Sequence, residues 1–441
     1  MFLYLLLRMA ISISIVFAPQ LIAELPSNQK LTEITLNNGL KVCLKETDHE
    51  EAVFAFQLFA VGGYAALPLA DRASAILAAD IAWESGLRNQ TADQIDIDLY
   101  DRSIEFSMEI RNFDRQILVS GPTTELSRCM QLIKALFEQP KFSPDAFKKA
   151  LEAKRRDLQA RKETKGSDLS AHEVFVSSNT RNWSVLQPLT LDELQTVNLQ
   201  KSEKIFRECF ADPSEFILVI AGDFKTAQVV KELEEHLGSM ISPSSPKALV
   251  NPVPPSLPPG VTKKELKGFH RYSKTLTCLT FPLNSKAADR HSLDFLCFIL
   301  ESRLIGFLSK SDDAAKKINV TFEYPLYPCM DEVWLTIQFS SFTEEVHSIS
   351  NNVLTALQTL KSQGVTHQEV LNFQRLQKNK GSQIWDNCEE IDLLANYYRA
   401  SWDLKKIYQK TDFELNNLEL FKNELNSYLK LDQYSIISLH P

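Results

Sequence analysis

The sequence predicts an α+β protein built from two similar halves. Three observations carry this. Strand-like and helix-like segments interleave along the chain, one strand–helix–turn–helix order occurs twice, and a proline-rich stretch separates the copies. In the first copy DRQILVSG leads into TTELSRCMQLIKALFEQP and then FSPDAFKKALEAKRRDLQAR. In the second, DEVWLTIQFSS leads into FTEEVHSISNNVLTALQTLKSQG and then VTHQEVLNFQRLQKNKGSQ. Ser143 and Thr366 stand as N-caps of the second helix in each copy, and each follows an apolar residue. The dividing stretch, residues 241–261, holds seven of the 19 prolines, a composition that favours an extended, semi-rigid connection. The predicted domains are therefore 24–240 and 262–441.

The elements follow in order. Residues 1–23 are apolar except for Arg8 and small polar residues, with Ala18 and Ala23 as small residues before a cleavage point. This reads as a secretory signal peptide, or as an uncleaved anchor, since roughly 20 apolar residues span a bilayer. Both readings place the folded part outside the cytoplasm, in the periplasm or the extracellular space. ITLNNGLKVCL alternates around Asn38-Gly39, which predicts a type I′ hairpin. EAVFAFQLFAV is a strand whose Phe54, Phe56 and Phe59 read as core. RASAILAADIAWESG is a largely apolar helix ending at Gly86, and IEFSMEI and RQILVSG are further strands. EFILVIAGDF is a buried strand running into the amphipathic KTAQVVKELEEHLG. Helices are expected to cover one face of each sheet.

Composition narrows the chemistry. The 441 residues are 44% hydrophobic and 24% charged, as in a folded globular protein, and the balance of 48 basic against 56 acidic residues gives −8. No dense Lys/Arg run supplies the footprint of a nucleic-acid binder. With 13 glycines and neither phosphate-loop nor dinucleotide fingerprint, nucleotide chemistry has no support. No two of the eight histidines lie three or four residues apart, so no helical His pair offers itself to zinc. A nucleophile elbow is absent as well. The seven cysteines, at 43, 129, 209, 278, 297, 329 and 388, form no C-x-x-C. Their spacing leaves pairing open, with Cys297 in FLCFIL reading as a buried thiol. The mixed-charge run KRRDLQARKETKG reads as a solvated helix face.

The order of the pieces adds a resemblance. LTEITLNNGLKVCLKE, a strand, then AVGGYAALPLADRASAILAADIAWESGLRNQTADQI resembles the opening of insulinase-like zinc peptidases of the pitrilysin, or inverted-zincin, type. FILVIAGDF with VVKELEEHLG resembles the strand and helix closing that family's first domain. DRHSLDFLCFILESRLIGFL, and the later GVTHQEVLNFQRLQKNKGSQIWDNCEEIDLLANYYRASWDL, resemble a second, non-catalytic domain. The resemblance implies two homologous domains, each an antiparallel-rich sheet covered by helices. Active members carry H-x-x-E-H on the first helix, with zinc as cofactor and a third ligand from a later helix. Counting back from Gly86 puts Leu77 and Ile81 at the two His positions and Asp80 at the Glu, with the third ligand position near Asp157. Leu and Ile cannot ligate zinc, so no cofactor is expected.

Members without the motif act as partners of active subunits around an unfolded peptide, or as structural subunits. The resemblance thus implies a homo- or heterodimer with an insulinase-family subunit. It also implies peptide binding along IEFSMEI, with Ser107 and Met108 at its centre. In some partners a late Arg/Tyr pair touches substrate. Arg303, Lys310 and Tyr324 stand in that region without reproducing the pair's spacing, and Arg303 reads better as an ordinary helix-surface residue. Three functions follow for testing: a non-catalytic subunit, a divergent metallopeptidase with an unrecognised or interface-shared metal site, and a structural or peptide-binding protein without a hydrolytic partner.

Overall fold

A computed structural model describes residues 31–441, apart from 88, 164–167, 243–248, 270–271, 285–289, 309–317, 327–331, 381–385, 402–403, 405–417, 420–421, 424–425 and 427–428. The leader, Lys310 and Cys329 lie outside the described residues. The first half contains strands β1 (Leu31–Thr35), β2 (Lys41–Glu46), β3 (Val53–Val61), β4 (Glu105–Ile110), β5 (Asp114–Pro122) and β6 (Ile217–Gly222). Its helices are α1 (Arg72–Glu84), α2 (Ala92–Asp101), α3 (Leu126–Glu138), α4 (Pro144–Glu163), α5 (Asp168–Asn179), α6 (Leu191–Leu194), α7 (Leu199–Cys209) and α8 (Thr226–His236). The second half contains β7 (Val261–Leu266), β8 (Thr275–Asn284), β9 (Asn319–Glu323), β10 (Glu332–Ser341) and β11 (Tyr434–Leu439). Its helices are α9 (Arg290–Leu308), α10 (Val346–Gln363), α11 (His367–Lys380) and α12 (Asn387–Ala400).

The duplication is visible in the sheets. The first runs β1-β2-β6-β3-β5-β4 and the second β7-β11-β8-β10-β9. With β1 set aside, the two orders superpose. Each sheet is antiparallel except for one parallel pair at the same place, β2 with β6 and β7 with β11. The caps of the second helices repeat too. Ser143 Oγ accepts from the Ala146 amide at 3.1 Å, and Thr366 Oγ1 accepts from the Glu369 amide at 3.3 Å. Phe142 and Phe147 share one apolar cluster, as do Val365 and Val370, so each cap is stapled by its flanking hydrophobics.

Helices cover both faces of each sheet, not one. In the first half Phe54, Phe56, Leu58 and Ala60 of β3 face a core with α1, α3, α7 and α8. Ala55 and Phe59 point the other way, against Ile391, Leu394 and Tyr397 of α12. Reciprocally, α5 from the first half lays Ala171 and Phe175 on Leu276, Cys278, Ile437 and Leu439 of the second sheet. Each half therefore lends one helix to the other. Polar seams fix both: Lys45 meets Glu390 at 2.7 Å, Thr47 meets Asn387 at 2.6 Å, and Asn179 meets Thr280 at 3.0 Å.

The hairpin differs from the type I′ expectation. Leu36 and Leu40 close a three-residue loop of Asn37, Asn38 and Gly39, with Gly39 at φ +88°. This is the longer hairpin geometry with a left-handed glycine. The proline-rich stretch is also more than a spacer. Asn251 accepts from the Gly63 amide at 3.2 Å and donates to the Phe113 carbonyl at 2.7 Å, and Leu257 is buried. Leu249 sits so close over Gly62 (φ +98°) that a Cβ there would lie 2.4 Å from its carbonyl oxygen. Among the six described cysteines none is bridged, and all but Cys388 are buried.

Candidate functional site

Helix α1 divides its surface between two jobs. Ala75, Ala78, Ala79, Ala82 and Trp83 face the first sheet. Leu77 and Ile81, one helical turn apart, share the opposite stripe. Both have 0% exposure and pack with Ala150 and Leu158 of α4 and Leu194 of α6, rimmed by Phe142, Phe147 and Val197. The two positions that the resemblance would give to imidazoles are thus filled by hydrocarbon. Each such side chain contributes about 1.5–3 kcal/mol by leaving water. Asp80 lies on the solvent side of α1, and its charge is one of the influences on Glu109 of β4. Asp157 pairs along its own helix with Lys154 (3.5 Å) and Arg161 (3.4 Å). Two aliphatic side chains, one surface carboxylate and one ion-paired carboxylate do not make a tetrahedral N/O donor set for zinc. No group of three or more metal-ligating side chains occurs among the described residues.

Ser107 and Met108 sit on β4, the outermost strand of the first sheet. Its pairing with β5 matches Ser107 to Leu118 and Met108 to Ile117, and no described strand pairs its other side. Phe106 and Met108 point towards the α1 core, where Phe106 stacks on Trp83 at 4.8 Å. Arg303 is far from this edge in role. Its guanidinium grips Glu369 at 2.7 and 2.9 Å and donates to the Gly364 carbonyl at 2.8 Å, tying α9 to α11.

The structure also assembles charged groups that sequence reasoning missed. Arg111 (2.6 Å) and Arg399 (3.0 Å) converge on Asp114. Burial pushes the Asp114 carboxyl up, but these two guanidiniums hold it below its ordinary value. Gln57 donates to Gln116 and Gln116 to Glu109, each at 2.6 Å, a polar row running from β3 to the β4 edge. Burial pushes the Glu109 carboxyl up. Desolvation, and after it the carboxylates of Asp386, Asp392, Glu50 and Glu105, push the Cys388 thiol up to about 12. The available signal was a charged residue placed inside an otherwise apolar strand, as with Lys45 and Arg115. Their partners lie far along the chain.

Two sheets that exchange covering helices, with hydrocarbon at positions 77 and 81 of α1, define the fold class. The "Peptidase M16 inactive domain" model matches residues 196–376. The "Zinc protease PQQL-like" of Arabidopsis thaliana is 25% identical over 291 residues, 63% of this chain and 27% of its own length. The periplasmic protease PqqL from Escherichia coli has 16% identity and a TM-score of 0.75, over 96% of this chain and 48% of that one. A protease from Helicobacter pylori has 17% identity and a TM-score of 0.75, over 94% of this chain and 100% of its own. The chain thus spans about a quarter of the Arabidopsis relative and about half of PqqL. The chain is thus similar in sequence, over these regions, and in fold, over nearly its whole length, to insulinase/pitrilysin-type, or M16, peptidases.

Proposed function

We propose that this chain is a non-catalytic member of its family that binds extended peptide along the free edge of β4 and works beside an insulinase-type half carrying the metal. The observation that carries this is the burial of Leu77 and Ile81 among Ala150, Leu158 and Leu194 where ligands would stand. The unpaired side of β4 supports the peptide-binding part. An edge strand offers backbone donors and acceptors that an added strand satisfies without regard to sequence. The partner reading rests on size. The chain matches 93% of the first half of PqqL, while whole PqqL is twice as long. Export to the periplasm is proposed from the apolar leader and from PqqL's description as periplasmic.

The test is zinc content and cleavage of a long unfolded peptide by the purified chain, with and without chelator. Near-stoichiometric zinc with chelator-sensitive cleavage would overturn the non-catalytic reading. Absence of both, with cleavage restored by an active M16 half, is the expected result. Successive amides on an edge strand point alternately inward and outward, so either Ser107→Pro or Met108→Pro removes only an outward donor. That variant is expected to fold and to lose peptide affinity. Unchanged binding in both folded variants would remove β4 as the site.

A further inference from the structure

The chemistry of the side chains flanking the β4 edge defines which peptides it takes, an inference that rests on the β4 reading above. Glu105, Ser107 and Glu109 share one face of β4, while Phe106, Met108 and Ile110 share the other. A strand added beside β4 would bring its side chains about 4.5–5.5 Å from these, Cβ to Cβ. We infer that the edge selects extended peptides carrying Lys or Arg four residues apart, opposite Glu105 and Glu109, with apolar residues opposite Phe106 and Met108.

The surroundings favour cations at both positions. From the start of α12, Asp386 and Asp392 lie with Glu105 and Glu50 around Cys388. From α1, Asp80 acts on Glu109. The cations close by are already engaged. Arg111 and Arg399 share Asp114, Arg111 also forms a longer ion pair with Glu109 at 3.8 Å, and His49 meets Glu390 at 3.4 Å. Among the described residues Glu105 itself accepts only a long bond from Ser120, at 3.4 Å. Glu109 accepts from Gln116, whose own carbonyl takes Gln57 and Arg399, so a neutral amide holds its carboxyl in place. The apolar positions are set by Phe106, braced by Trp83, and by Met108. Charge and polarity therefore alternate along the edge with the two-residue period of a strand.

Three labelled peptides test this by fluorescence anisotropy on the full chain. Their centres read Lys-Leu-Ser-Leu-Lys, Gln-Leu-Ser-Leu-Gln and Glu-Leu-Ser-Leu-Glu. The Lys peptide is expected to bind about tenfold or more tighter than the Glu peptide, with the difference shrinking as salt rises. The variant Glu105→Gln/Glu109→Gln, which keeps side-chain size and every backbone group of the edge, is expected to reduce that ratio to about twofold or less. Equal affinity for all three peptides would overturn the charge inference and leave β4 binding standing. A preference that survives the double variant would overturn the assignment to Glu105 and Glu109. Binding of none would overturn the β4 reading itself.

Discussion

Replacing Glu390 with Gln should unfasten the helix that the second half lends to the first. Lys45 Nζ lies 2.7 Å from Glu390 Oε1, and neither side chain has any solvent exposure. His49 approaches the second oxygen at 3.4 Å. Burial already pushes the Lys45 ammonium down, and Glu390 is what opposes it. The Glu390→Gln change would keep the volume and one acceptor but leave the ammonium uncompensated. Removing one partner of a buried ion pair costs about 3–5 kcal/mol, most of it from the orphaned charge. Converting both, Lys45→Met with Glu390→Met, exchanges the pair for hydrocarbon and is expected to stay within about 1–2 kcal/mol of the parent. Urea unfolding gives the energies, and hydrogen exchange over 387–400 locates the loss. A Glu390→Gln cost below about 0.5 kcal/mol would refute the reasoning, since no buried pair would then be fastening α12. A double variant as unstable as the single would show that shape, not charge, sets the cost.

Three further outcomes are expected. Residues 24–240 and 262–441 made separately should aggregate or unfold, because each exposes the sheet face covered by the other's helix, and co-expression should recover a soluble complex; well-folded isolated halves would contradict the exchange. Leu77→Ala should cost about 2.7–5 kcal/mol in chemical denaturation, the range for a buried leucine whose site cannot collapse, whereas a cost under about 1 kcal/mol would mean the α1–α4 cluster is loosely packed. Burial holds Glu109, Asp392 and Glu323 above their ordinary values, so just above those values the folded chain keeps protons the unfolded chain has released, and stability should rise as pH falls from neutral towards about 5. Lower still it should fall, because Asp114 and Glu369 are held below their ordinary values, against burial, by arginine partners. Thermal midpoints across this range check the sign, and a maximum at neutral pH would reverse it.

Whatever rests on local periodicity was legible in the sequence. The repeated strand and capped helix pair came from alternation, from Ser143 and Thr366, and from their flanking hydrophobics. The hairpin shows how close that reasoning comes and where it slips. Asn-Gly suits a two-residue loop, but that loop would set Ile34 opposite Cys43. Residues directly opposite share a sheet face, and Ile34, Val42 and Leu44 belong to one core while Cys43 belongs to the other. The observed register pairs Ile34 with Val42 and Thr32 with Leu44, which demands an odd-numbered loop. The helix exchange was not legible. It joins Lys45 to Glu390 and Asn179 to Thr280 across long stretches of chain, and nothing in either segment names its partner. At the site, Leu77 and Ile81 could be read as lost ligands. The carboxylates gathered from β4, α1 and α12 could not, because only the fold brings them together.

In the proposed function peptide binding does not depend on metal ligands at positions 77 and 81, and α1 shows how the two can be separate. Its Ala and Trp stripe holds β4 in place, through Trp83 stacked on Phe106 and bonded to Asp96 of α2 at 3.0 Å. Its Leu77 and Ile81 stripe holds α4 and α6. The two stripes lie on opposite sides of one helix, so substitutions on the second leave the first intact. Aliphatic residues at 77 and 81 even tighten the helix against α4, where imidazoles without a metal would be buried polar groups in search of partners. Under the proposed function, packing favours hydrocarbon at these two positions, while the sheet edge keeps every contact that shapes it.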